Sequence, residues 1–239
     1  MSLTIDTNFR SQEAEIMDDL DMKGDELRKT LDQIATINRF LGGNRLTLNG
    51  VRKLLINIPK NQQINILDVG CGNGDMLRDI SEWAVSEQRT VKLEGIDANA
   101  DTINHARNLS THYTNIRYYP TNLFSQEFSS FKPDIIICTL TLHHFSDEEI
   151  VSILERFRKQ AKMGLVINDL QRSALAYRLF QLVCLVFPLG KMPKNDGLIS
   201  ILRGFKRKEL RNFSKKLNFN TYSIRWKWAF RYQWIISFI

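Results

Sequence analysis

The spacing of apolar positions changes character twice along the chain. Between residues 25 and 41, Leu27, Leu31, Ile34, Ile37 and Leu41 recur at three- and four-residue steps. That spacing predicts one face of a helix, which Asp25 can cap and Gly42-Gly43 end. A second short helix is predicted over about 49–58, carrying Val51, Leu54, Leu55 and Ile58 and closed by Pro59. From Ile64 onward, short apolar runs alternate with longer polar-faced segments. Strands are predicted at 64–69, 91–96, 116–119, 135–139 and 165–168, and helices at about 74–86, 99–110 and 147–161. Strands separated by helices imply right-handed crossovers and a parallel sheet covered on both faces. The last stretch differs. Residues 221–228 alternate strictly, with Tyr222, Ile224, Trp226 and Trp228 on one face, and 230–239 form another extended run. Two strands without a helix between them make an antiparallel hairpin.

This pattern divides the chain into an N-terminal helical cap, 1–60, and an α/β domain, 61–239, with an insertion at 170–200. Within the insertion, 174–189 is apolar apart from Arg178 and Gln181. It is too short to span a bilayer comfortably. It reads either as a helix buried over the active site or as one lying on a membrane surface.

Composition adds limits. Apolar residues make up 43% and charged residues 25% of 239, ordinary for a globular chain with a sizeable core. Cys71, Cys138 and Cys184 are odd in number and form no CxxC pair, which predicts reduced thiols, a cytoplasmic protein and no zinc site. The first twenty residues are acidic and lack the apolar core of a secretory leader. Charge is strongly asymmetric: residues 1–155 hold 15 Lys+Arg against 23 Asp+Glu, and residues 156–239 hold 18 against 3. A basic end of this kind can meet nucleic acid, anionic lipid or an acidic protein, or stand as a solvated surface.

The candidate chemistry centres on INILDVGCGNG at 64–74. A buried strand runs into Gly70, Gly72 and Gly74, where the absence of Cβ atoms lets a ligand press on bare backbone. The GxGxG spacing is one residue shorter than the dinucleotide fingerprint, so a pyrophosphate cradle does not fit. With Asp68 two residues before the first glycine, the segment resembles motif I of class I S-adenosylmethionine (SAM) methyltransferases. Further positions match in order: Asp97 ends the second strand, Thr121-Asn122-Leu123 follows the third, Cys138-Thr139-Leu140 ends the fourth, and Leu142-His143-His144 comes next. The resemblance implies a Rossmann-like doubly wound sheet of seven strands, ending in the antiparallel hairpin. It implies SAM as cofactor and assigns it Asp68, Gly70, Cys71, Gly72, Gly74, Asp97, Ala98, Asn122, Leu123 and Thr139. Asp97 would accept hydrogen bonds from the ribose hydroxyls. Asn122 departs from the usual acid there but can offer its amide to the adenine edge. Arg45, from the cap, could reach the SAM carboxylate.

His143 and Asp169 are the candidate catalytic pair, His143 as general base and Asp169 as its orienting partner, because the fourth and fifth strands open onto one crevice. The alternative for His143 is a structural histidine that shapes the pocket. Amino-group methylation of adenine or glutamine is disfavoured because CTLTLHHF lacks an Asn/Asp-Pro-Pro-Tyr motif. Pyrimidine C5 methylation is disfavoured because Cys138 lies mid-strand without proline. Magnesium-dependent catechol chemistry is disfavoured because Thr139 stands where an acid would bind metal.

The ends of the chain, EIMDD (15–19), INRFLGGNR (37–45), NDLQRSALAYRLF (168–180), DGLISILRGFKRKEL (196–210) and RWKWAFR (225–231), resemble small methyltransferases found beside type III polyketide synthases. That resemblance implies a phenolic or lipid-like acceptor of alkylresorcinol type, methylated at oxygen, with Asp196-Gly197 and the 174–189 helix building its pocket. Gln171 replaces the histidine usual in that group. The other readings are a quinone-type C-methyltransferase, an RNA methyltransferase using Arg203 to Lys216 with Trp226 and Trp228, and a non-catalytic SAM-binding protein. Peripheral membrane contact is a further possibility, nucleic acid is disfavoured, and no metal is expected.

Overall fold

The computed structural model describes residues 5–239. Its centre is a seven-stranded sheet of β1 (Ile64–Val69), β2 (Val91–Asp97), β3 (Ile116–Pro120), β4 (Ile135–Thr139), β5 (Gly164–Leu170), β6 (Thr221–Lys227) and β7 (Arg231–Ser237). The order is β3-β2-β1-β4-β5-β7-β6. Five strands are parallel, and β7 runs antiparallel between β5 and β6. The seven-strand doubly wound sheet with its terminal hairpin is as the sequence predicts.

The parallel strands read as nearly continuous apolar runs because both faces are covered. Ile135 and Ile137 point to one core, with Ile64, Ile66 and Val166, under Val51 and Leu54 of α2 (Gly43–Leu54), Met76, Leu77 and Ile80 of α3 (Asp75–Ser86), and Ile103 of α4 (Ala100–Leu109). Ile136 and Cys138 point to the other, with Leu67, Val69 and Ile167, under Ile150, Leu154 and Phe157 of α5 (Asp147–Gln160) and Leu210 and Phe213 of α8 (Arg207–Lys216). Each such fully buried aliphatic side chain contributes about 1.5–3 kcal/mol.

The cap differs in detail from the sequence pattern. Helix α1 (Asp25–Phe40) begins on Gly24, and Asp25 is its first helical residue. The second helix is Gly43–Leu54, not 49–58. Gly42, in the left-handed region at φ 77°, is a joint that both ends α1 and starts α2. Helix α2 packs on β5 so closely that a Cβ on Gly50 would collide with Val166.

The insertion carries two helices, α6 (Ala174–Val186) and α7 (Lys191–Arg203). Of α6 only Ala176 is buried; Leu175, Leu182, Leu185 and Val186 are exposed, so this is not a buried helix. In the hairpin, Ile224 is buried, but Trp226 and Trp228 on the same face are exposed. Among the described residues no helix is long and apolar enough to cross a membrane.

Candidate active site

The sheet order reverses between β1 and β4, and a crevice opens there at the carboxyl ends of the strands. It holds a cavity of about 1000 Å³. Asp68, Gly70, Cys71, Gly72, Asp97, Ala98, Asn122, Leu123 and Thr139 all line it. Gly74 does not line the cavity, since its Cα faces the Tyr118 ring. Arg45 is exposed on α2 and also lies outside the lining, whereas its neighbour Asn44 is part of it.

The glycine turn is built for close approach. Gly70 and Gly72 have φ of 71° and 51°. A Cβ on Gly70 would collide with Thr141, but one on Gly72 would meet only Leu31 Cδ2 of α1, at 3.8 Å. The turn is tied to β2, because Gly72 N–H donates to Asp97 Oδ2 at 3.3 Å and Asn99 N–H to Asp97 Oδ1 at 3.0 Å. Asp68 is buried, and its Oδ1 has no hydrogen-bond partner. Burial, with Asp75 and Asp97 nearby, pushes its carboxyl well above the usual range. Burial also raises Asp97, against the pull of the backbone N–H groups of Asn99 and Gly72. A cavity wall of bare glycine backbone beside an orphaned carboxylate is matched to a ligand carrying a positive group.

Opposite the turn, α1 supplies Leu27, Leu31, Ile34 and Asn38 to the lining. It is latched by polar contacts: Asn73 Nδ2 donates to Asp32 Oδ1 at 2.8 Å and Arg28 Nη2 to Asp101 Oδ1 at 3.0 Å. Asn99 Nδ2 holds the preceding loop through the carbonyls of Leu20 and Met22.

The far end of the cavity is apolar, with Leu179, Phe180 and Val183 of α6 and Phe230 of the hairpin. At its floor His143 Nδ1 lies 2.7 Å from Asp169 Oδ1, both residues buried. Burial opposes the Asp169 charge, but His143 and the Leu170 N–H overcome it and hold the carboxyl below its ordinary value. Asp169 is outside the lining; it acts on the cavity through His143.

The sequence reading missed the surroundings of this pair. Glu15 Oε1 lies 3.6 Å from His143 Nε2, and neither atom has a hydrogen-bond partner. Burial raises the Glu15 carboxyl. His144 Nδ1 pairs with Asp18 Oδ1 at 2.6 Å, and Arg203 binds Asp18 Oδ2 at 2.6 Å and the His143 carbonyl at 3.2 Å. Glu15, His143 and His144 bring possible metal-ligand atoms within 4.8 Å of one another. Arg203 Nη1, 3.7 Å from Glu15 Oε1, already supplies positive charge there, so the cluster closes as an ion-pair network. EIMDD carried the only hint of Glu15 and Asp18, and no spacing ties residues 15–18 to residue 143.

Asp196 and Gly197 line the cavity, but the Asp196 carboxylate is engaged by the N–H groups of Ile16 and Met17, both at 3.0 Å. Gln171 accepts from Trp226 Nε1 at 2.7 Å. Leu140, beside the cavity at the end of β4, has φ 54°, a strained conformation for a leucine. Arg231, also in the lining, is buried, and burial lowers its guanidinium to about 10.

Residues 66–164 match a family model described as a methyltransferase domain. No curated protein matches the chain. Among solved structures, the chain is similar to the plantazolicin methyltransferase BpumL in complex with SAH, at TM-score 0.61 and 17% identity over 89% of this chain and 95% of that one. It is also similar to magnesium protoporphyrin IX methyltransferase from Synechocystis PCC 6803 with bound SAH, at TM-score 0.53 and 17% identity over 84% and 85%. The CurJ carbon methyltransferase matches at TM-score 0.58 and 15% identity over 78% of this chain and 51% of that one.

Proposed function

We propose that this chain is a SAM-dependent methyltransferase that acts on a small phenolic or lipid-like acceptor and methylates it at oxygen. The observation that carries the reading is the buried His143–Asp169 pair at the floor of an apolar cavity that also contains the glycine turn. SAM supplies a methyl group already activated on a sulfonium, so the protein has to position both partners and manage one proton. Gly70, Cys71 and Gly72 would cradle the cofactor, Asp97 its ribose, and Ala98, Asn122 and Leu123 its adenine. Asp68 would face the ammonium, and Thr139 would line the methionine side.

At the acceptor end, His143 takes the hydroxyl proton on Nε2. Asp169, on Nδ1, holds the ring and stabilises the imidazolium. Leu179, Phe180 and Val183 exclude water and suit an aliphatic tail. An acceptor of the alkylresorcinol type, as type III polyketide synthases produce, fits this division into a polar floor and an apolar wall. The experiment is incubation of the protein with methyl-labelled SAM and a panel of alkylresorcinols, quinols and short RNAs, read by mass spectrometry. Label on a phenolic oxygen supports the reading; label on ring carbon or on RNA replaces it.

The exposed leucines of α6 and the basic second half favour peripheral contact with an anionic membrane, from which a lipid-like acceptor would enter. Co-sedimentation with anionic vesicles should drop for Leu182→Ser/Leu185→Ser; equal pelleting would remove the contact. The free, mostly buried cysteines suit a cytoplasmic enzyme.

A further inference from the structure

Arg231 is 3% exposed and lines the cavity, and its side chain makes no hydrogen bond or ion pair among the described residues. Its Nε and Nη1 are both buried without partners. An arginine in that state is costly, because its desolvated charge is not repaid by a carboxylate. The nearest acid, Asp169, is committed to His143. A second feature converges on the same place. Helix α2, twelve residues long, starts at Gly43 with no side-chain cap, so its first N–H groups lack the partner a capping residue would give. Arg231 Nη1 would stand 3.1 Å from a Cβ placed on Gly43, while Asn38 would collide with it. The guanidinium therefore packs directly against the start of the helix. Asn38 and Asn44, joined at 2.6 Å, flank this corner and also line the cavity.

We propose that Arg231 and the amino end of α2 form a carboxylate-binding subsite within the cavity. A carboxylate suits both elements: the arginine supplies an unpaired positive charge with N–H donors, and a helix start offers N–H groups and a positive dipole end. Two ligands of the proposed reaction can bring this chemistry. One is the methionine carboxylate of the cofactor, the ligand expected above for Arg45. The other is a carboxyl group on the acceptor itself, as in an alkylated dihydroxybenzoic acid. The subsite rests on the proposed function only in placing these ligands in this cavity.

Calorimetry on the full chain tests it with two ligand pairs. The first is SAM against decarboxylated SAM. The second, with SAH present, is an alkylated dihydroxybenzoate against the matching alkylresorcinol. At least one pair should show a tenfold or larger preference for the carboxylate member. Arg231→Gln should erase that preference, and Arg231→Lys should keep part of it. Loss in the first pair assigns the subsite to the cofactor, and loss in the second to the acceptor. No preference in either wild-type pair overturns the proposal, as does a preference that persists in Arg231→Gln. Should the Gln variant fail to fold, an undiminished preference in Arg231→Lys overturns it and a reduced one supports it. Failure of SAM to bind wild type would instead count against the cofactor assignment, a separate result.

Discussion

His143 and Asp169 stand 26 positions apart in sequence, yet their side chains meet at 2.7 Å in a place shielded from solvent. The contact is set by sheet register: Thr139 at the end of β4 pairs with Asn168 on β5, so the residues just beyond share one edge. His143→Ala should lower kcat by about 10²- to 10⁴-fold with little change in SAM affinity, the usual range for losing a general base. Asp169→Asn should lower it too and shift the pH profile of kcat/KM, because the imidazolium loses its counter-charge. Steady-state kinetics from pH 5.5 to 9 checks both; full activity in the alanine variant would return His143 to a structural role.

Gly70 and Gly72 should respond differently to the same substitution. At Gly70 alanine meets positive φ and collides with Thr141, so Gly70→Ala should cost about 1–3 kcal/mol of stability. At Gly72 φ is positive as well, but only Leu31 is near, and the added methyl projects toward α1 without a collision. Gly72→Ala should fold with a smaller loss and bind SAM at least tenfold more weakly. Thermal melts paired with calorimetry separate the two.

Asp68 links pH to stability in the opposite sense from Asp169. A carboxyl raised in the folded state holds its proton longer than in the unfolded chain, so stability falls as pH rises from the ordinary carboxylate range through the folded value. Asp169, depressed when folded, stabilises above the unfolded carboxylate range and loses that contribution as pH falls through its folded value. Asp68→Asn should therefore raise the melting temperature of the cofactor-free protein more at pH 7.5 than at pH 5, while weakening SAM binding. Equal shifts at both pH values would contradict a charge-based penalty.

Arg203 beside Glu15 predicts metal-independent turnover. Activity should survive exhaustive dialysis against EDTA. A loss restored by a divalent ion would mean that Glu15, His143 and His144 bind metal.

The strands and their parallel direction were legible because apolar runs of four to six residues, mostly separated by helices, imply crossover connections, whereas the order of the strands in the sheet was not. The glycine turn was legible because it is local: Asp68, Gly70, Cys71 and Gly72 line one cavity within five residues. Only charge and position single out Arg45, and a helix turns neighbours to different sides, so Asn44 faces the cavity while Arg45 faces water. Gly42-Gly43 read as a stop because a left-handed glycine ends helices; the same conformation also starts the next one. Glu15, Asp18, Arg203 and Arg231 come from distant segments that meet only in the tertiary fold, and no periodicity announces such meetings.

Helix α1 lies across the glycine turn, with Leu31 over Gly72 and its latches reaching Asn73 and Asp101. The consequence is one of sequence in time. A cofactor seated under that helix would be held there by the Arg28–Asp101 and Asn73–Asp32 contacts, while the acceptor end is bordered by α6, whose following segment meets α1 where Gly190 N–H donates to Gln33 Oε1 at 3.1 Å. Cofactor in first and spent cofactor out last is therefore the expected order, and product-inhibition patterns would check it.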